Sequence, residues 1–277
     1  THFSPEDVEK MQVVLPGVST IMERAGVMVG DKIVRKMPWA PSFYGTIASG
    51  GGALANTRCE TSLAGLYACG DAMVRLGSLP RALAGASVSG ARAGRFAADY
   101  VKEIKSVKID EGEVGELENN AFAPLNRDKG IDPEHVILGI HETLLPYEVT
   151  VISRGDRMEK AIKEIERIRD EEVPLLYASD IHYLRLANEV KNMVLVAEMY
   201  LRSRLLREES RDSYLREDFP HTDNINWLKW TRLRQQYGKM TLWTDDVPVD
   251  RYKLKPKREK FLHKVFEIAE KRGVQWG

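Results

Sequence analysis

Three long stretches of this 277-residue chain carry apolar residues at helical spacing with charged residues between them. In residues 158–170, Met158, Ile162, Ile165 and Ile168 fall on one stripe, and the charges solvate the opposite face of a predicted amphipathic helix. From about residue 179 to residue 209, Leu184, Ala187, Val190, Val194, Ala197, Tyr200 and Leu201 repeat the pattern and predict a long helix with one buried face. Residues 258–271 place Phe261, Leu262, Val265, Phe266 and Ile268 on or near one face of a third. A fourth helix, over residues 81–101, differs in kind. It carries Gly85, Gly90 and Gly94 among Ala82, Ala84, Ala86, Ala91 and Ala93. Each internal glycine costs up to about 1 kcal/mol against alanine, so this composition predicts either tight helix packing or close approach of another group to the backbone.

Shorter patterns fill the gaps. Residues 65–69, Gly-Leu-Tyr-Ala-Cys, form an apolar run suited to a buried strand, and Gly70-Asp71 stops it with a turn residue and one carboxylate. Asp132-Pro133-Glu134 supplies a cap, a proline and a first-turn acid at a helix start, as Ser4-Pro5-Glu6-Asp7 does near the beginning. Residues 102–132 are charged and read as linker and partly solvated helix, the expected domain boundary. Residues 239–256 predict two short strands around a turn at Asp245-Asp246. The whole reads as α+β and helix-rich, with the helices after residue 105 expected to form an antiparallel bundle.

Composition narrows the function classes. Lysine plus arginine and aspartate plus glutamate number 41 each, so the formal net charge is zero, and 43% of residues are hydrophobic. That balance gives no footprint for nucleic acid or for an acidic membrane surface. No apolar run approaches the roughly 20 residues that span a bilayer. Cys59 and Cys69 are the only cysteines. Two cannot hold an iron–sulfur cluster or a structural zinc, and both read as buried thiols of a cytoplasmic protein. His135 and His141 lie too far apart for one helical face, so no metal site is expected there.

Residues 60–72, ETSLAGLYACGDA, followed by RLGS at 75–78 and SGARAG at 89–94, resemble the last FAD-binding segment of the succinate dehydrogenase and fumarate reductase flavoprotein family. EESRDSYLREDFP at 208–220 and Asn226-Trp227-Leu228 resemble a second block of that family, in its helical domain. The likeness runs from about residue 11 to residue 256. It implies the C-terminal part of a Rossmann-like FAD-binding domain followed by the helical bundle. On that reading residues 1–40 end a cap domain and return the chain, residues 41–105 complete the FAD-binding domain, residues 106–245 form the bundle, and residues 246–277 extend it. The opening strand–GxGxxG–helix that holds the FAD pyrophosphate in such proteins is absent from this sequence. The chain is therefore expected to be a C-terminal portion, a processed piece or one subunit of a split enzyme, inactive by itself.

The resemblance also implies site residues. Asp71 matches the acid that bonds the ribityl part of FAD. The helix start at Ala82 and Leu83 would aim its N–H groups at the flavin pyrimidine carbonyl, where a helix N-terminus stabilises negative charge. Gly70 precedes the acid, and Gly51, in the run Ser49–Gly52, would let the backbone approach the cofactor; the same run also suits a hairpin loop. Arg75, by the string RLGS, and Arg81, by its place near the helix start, are the two candidates for the family arginine that grips substrate beside the flavin, since a guanidinium fork binds carboxylate or phosphate bidentately. In fumarate reductases a histidine near the position of Ser42 and Phe43 binds the substrate carboxylate, so its absence points away from fumarate. Residues 178–190 and Gly70-Asp71 resemble the adenylylsulfate reductase alpha-subunit branch. Expected partners are an N-terminal FAD-binding half, a small-molecule substrate and an iron–sulfur electron-transfer subunit. The alternatives are a non-catalytic assembly subunit completing a split flavoprotein and a fragment of an adenylylsulfate reductase-like alpha subunit.

Overall fold

A computed structural model describes residues 28–29, 32–33, 51–74, 83–104 and 108–271. The chain divides into two units, Thr1–Ser42 and Phe43–Gly277. In the first, β1 (Met28–Val29) pairs antiparallel with β2 (Lys32–Ile33). The helix expected over residues 4–25 lies outside the described residues.

In the second unit the helical stripes mark where the core forms. Helix α1 spans Leu83–Glu103, α2 Glu111–Phe122, α3 Pro133–Leu144, α4 Gly155–Arg167 and α5 Ile181–Leu206. Helices α3, α4 and α5 pack around one cluster that includes Val136, Ile140, Met158, Ile162, Ile165, Ile168, Val190, Val194 and Leu201. All four residues of the stripe predicted for residues 158–170 are buried there. Asp132 caps α3 as its sequence implies, its Oδ1 accepting from the Glu134 N–H at 2.8 Å, and Asp180 caps α5 through the Tyr183 N–H at 3.1 Å. Such caps contribute about 1 kcal/mol each by satisfying amides that the helix itself leaves open. After α4 the chain widens into a π-helical turn over Ile168–Glu172 and tightens into a 3-10 turn at Val173–Leu175, which contains Pro174.

The strands of this unit pair into two-stranded sheets. Strand β3 (Ile152–Ser153) runs parallel to β4 (Leu215–Arg216), and β5 (His221–Asp223) pairs antiparallel with β8 (Lys260–Leu262). Strands β6 (Lys229–Gln236) and β7 (Lys239–Asp246) form a hairpin in register from Lys229↔Asp246 to Gln236↔Lys239. Helix α6 (Lys264–Lys271) follows, with Phe266 packed against Ile152 and Leu215.

Several expectations are corrected. The hairpin turns at Tyr237-Gly238, both with positive φ, and Asp245-Asp246 lies at the far end of its second strand. A two-residue turn with both φ values positive matches strand twist, and Gly238 adopts it without strain. The helix expected over residues 258–271 begins with strand β8, because His221–Asp223 offers it a pairing edge. Residues 65–69 are not a buried strand. Tyr67 makes one isolated bridge to Glu60, Leu66 is half exposed, and Gly65 turns at φ +80°. Cys59 is buried, but Cys69 is only partly so.

Candidate functional site

Residues 51–74 fold as two loops laid against α1. Asn56 organises the first. Its Oδ1 accepts from the N–H groups of Arg58 at 2.8 Å and Glu60 at 3.1 Å, which holds Cys59 at φ +65°. The chain then doubles back, with Ala68 N–H donating to Cys59 C=O at 2.9 Å. This loop grips the helix by its aromatic ends. The Tyr67 hydroxyl donates to Phe96 C=O at 3.2 Å, and the Arg58 guanidinium lies 4.4 Å from the centre of the Phe96 ring.

The second loop carries the candidate acid. Gly70–Ala72 is one turn of 3-10 helix beginning at Gly70, φ +61°, directly over Ala86 of α1. Ser89, buried in α1, fixes this apposition. Its Oγ accepts from the Gly70 N–H at 2.9 Å and donates back to Gly85 C=O at 2.7 Å. Ala53 closes the arrangement, its N–H donating to Ala72 C=O at 2.8 Å and its C=O accepting from Val74 N–H at 2.9 Å. Gly52 is the tightest point. At φ +155°, a Cβ there would lie 2.7 Å from Met73 C and 2.8 Å from Ala72 O and Val74 N. Those are backbone atoms, so no rotamer change relieves the clash.

The structure therefore brings Gly51-Gly52, Gly70-Asp71-Ala72 and the first turns of α1 together. Asp71 is exposed, Leu83 at the start of α1 is 81% exposed, and a Cβ on Gly51 would meet nothing within 4 Å. Arg75, Arg81 and Ala82 lie outside the described residues. No described atom makes the close approach expected at Gly90 and Gly94, where an added Cβ would also meet nothing within 4 Å. Sequence reasoning marked the runs that hold Gly52 and Ser89 but gave neither residue a role of its own. The signal for Ser89 is a hydroxyl in the small-residue first half of this helix, which it shares with Ser87.

The 208–220 block forms a second buried polar cluster, at the end of α5. Glu209 is fully buried. It accepts from Arg207, from Arg211 Nε and Nη2, each at 2.9 Å, and from the Asp223 N–H at 3.0 Å. Arg207 reaches on to the carbonyls of Trp227 and Lys229 at the hairpin base, at 2.7 and 2.9 Å. Arg211 also donates to Asn224 at 2.8 Å. Arg216, 2% exposed, grips Asp218 with two bonds of 2.7 Å. Its Nη1 donates to the carbonyls of Arg204, Leu205 and Arg207, the otherwise open acceptors at the C-terminus of α5. Burial raises the Asp218 pKa, but the Arg216 bond and the Gly155 N–H outweigh it and hold the carboxyl below the ordinary range. Arg204 donates to Ser153 Oγ at 2.6 Å and lies over the rings of Tyr214 and Tyr200, at 4.6 and 5.2 Å. Burial lowers its pKa. Arg211 and Arg216 thus bond carboxylates and backbone, and every partner described belongs to the same unit.

Residues 142–261 match the family described as the fumarate reductase flavoprotein C-terminal region. An uncharacterised FAD-dependent oxidoreductase of Methanocaldococcus jannaschii is 34% identical over 233 residues, covering 80% of this chain and 40% of that protein. A CoM/CoB fumarate reductase component of Methanothermobacter marburgensis is 32% identical over 173 residues, covering 59% of this chain and 30% of that protein. Among solved structures, a quinol–fumarate reductase with menaquinol molecules superposes at a TM-score of 0.71 with 22% identity, over 92% of this chain and 45% of that one. That structural likeness concerns the fold. The chain spans less than half the length of each of these proteins.

Proposed function

Because the chain belongs to the succinate dehydrogenase and fumarate reductase flavoprotein family, as its C-terminal portion, we propose that it completes the flavin site of an FAD-dependent oxidoreductase. The observation that carries the reading is the apposition of Gly52, Gly70–Ala72 and α1, fixed by Ser89, in the segment where the family places its last FAD contacts. FAD, when bound, supplies the two-electron chemistry. This chain's residues supply position and electrostatics. Asp71 presents a carboxylate on a turn held against the helix, suited to accept hydrogen bonds from ribityl hydroxyls. Leu83, preceded in sequence by the candidate Ala82, begins a 21-residue helix, and its first amides and dipole favour negative charge on the flavin pyrimidine side. Gly51 leaves room for backbone approach. Arg75 and Arg81 are the candidates to grip an anionic small-molecule substrate, whose class differs from fumarate where Ser42 and Phe43 replace the family histidine. The partners this reading requires are an N-terminal FAD-binding portion and an iron–sulfur subunit.

The test is the visible spectrum of the purified chain, alone and with an N-terminal FAD-binding portion, followed by assay of FAD released on denaturation. Flavin retained in either form supports the reading, and no flavin uptake in both overturns it. In the flavin-binding form Asp71→Ala is expected to weaken FAD by about ten- to a hundredfold, the worth of a hydrogen bond to a charged group. Unchanged affinity would sink the assignment of Asp71.

A further inference from the structure

The zero net charge of the chain conceals a local imbalance. Residues 251–260, RYKLKPKREK, hold six cations and one acid. All ten residues are exposed. Lys255 lies 3.7 Å from Asp250, and Lys260 lies 3.8 Å from Asp223. Arg251, Lys253, Lys257 and Arg258 have no carboxylate partner among the described residues. Among the described residues, no ion pair offsets these four charges.

Both ends of this segment are anchored. Before it, the 3-10 turn Val249–Arg251 is fixed to the hairpin base, with Val247 N–H donating to Leu228 C=O at 2.9 Å and Arg251 N–H to Pro248 C=O at 3.0 Å. After it, Asn224 holds both Lys257 C=O and Glu259 C=O at 3.0 Å, and β8 pairs with β5. Between the anchors the chain bends at Lys253-Leu254. Leu254 at this bend is 90% exposed and sits between Lys253 and Lys255. Tyr252, two residues before it, is 48% exposed.

We propose that this segment is a docking loop for an anionic lipid surface, with Leu254 and Tyr252 entering the interface and the lysines and arginines meeting the headgroups. A loop without secondary structure, with long cationic stems around an apolar tip, suits a diffuse planar surface of negative charge over an apolar interior. An acidic protein face would use the charges but has no general need of a leucine projected between two lysines. The proposal is independent of the flavin reading.

The full chain would be sedimented with phosphatidylcholine vesicles, with and without about 30 mol% phosphatidylserine as a mimic of an anionic leaflet. Binding is expected only with phosphatidylserine, and it weakens as salt rises. Each cation removed from the interface lowers the partition coefficient about fivefold, so K253E/K257E loses at least about 25-fold. L254S keeps every cation and is expected to bind several-fold more weakly with an unchanged salt dependence. K129E/K239E, two exposed lysines elsewhere, is expected to bind as the parent does. The residues changed are exposed, and far-ultraviolet circular dichroism confirms that each variant is folded. Absence of vesicle binding overturns the proposal, as does an equal loss in K129E/K239E. Binding to soluble polyglutamate without any preference for anionic vesicles also overturns it and assigns the loop to an acidic protein partner.

Discussion

Glu209→Ala tests whether the buried cluster at the end of α5 holds this part of the molecule together. Glu209 has no solvent exposure and receives bonds from Arg207, twice from Arg211, and from the Asp223 amide. Truncation leaves two guanidinium groups without their carboxylate and one backbone N–H without an acceptor. Breaking a buried pair by removing one partner costs about 3–5 kcal/mol. Two observations place this case near the lower end. The side chains of Arg207 and Arg211 keep 15% and 31% of their exposure, and both retain other acceptors, Trp227 C=O and Lys229 C=O for one and Asn224 for the other. At about 2–4 °C per kcal/mol for a domain of this size, a loss of about 3 kcal/mol lowers the melting temperature by about 6–12 °C. Urea unfolding followed by circular dichroism should show a lower midpoint at unchanged slope. Glu209→Gln, which keeps shape and one acceptor, should fall between. Glu209→Ala combined with Arg211→Ala should cost less than the sum of the two, because each removes the same interaction. A loss below about 1 kcal/mol with additive behaviour would refute the reasoning, since a buried network must couple.

Two further outcomes follow from the geometry. Gly52→Ala should cost about 1–3 kcal/mol and abolish flavin retention in an FAD-binding assembly, because its Cβ meets backbone of Met73, Ala72 and Val74; a thermally unaltered, yellow variant would count against that close approach. Burial lowers the His263 pKa, only partly offset by Asp212 and Glu209. A folded value below the unfolded one means that the neutral ring is favoured in the fold, so this contribution is fully present above about pH 6.5 and is lost as pH falls through the folded value. His263→Asn should flatten the stability–pH curve just below pH 6.5, as read by urea midpoints at several pH values, and an unchanged curve would contradict it.

Amphipathic periodicity was sufficient to locate α4 and α5 and their buried faces. Met158, Ile162, Ile165 and Ile168 are spaced for one stripe, and burial of that stripe is the dominant local gain, so pattern and packing agree. The Asp132 cap was legible for a similar reason, since a cap is settled within a few residues. The sequence also displayed Asp71 and the glycine-rich helix as candidates for one site. What tertiary structure decided were the features set by distant partners. The hairpin over Lys229–Asp246 lacks a clean apolar alternation, so only its register and the Tyr237-Gly238 turn define it. Residues 260–262 became a strand because β5 offered an open edge, whereas their apolar pattern alone favoured a helix. Glu209 lies in a block that the family resemblance marks, but only folding buries it between two arginines. Ser89 and Gly52 acquire their roles from backbone about 19 to 21 residues away in sequence, at a distance that local propensity does not sense.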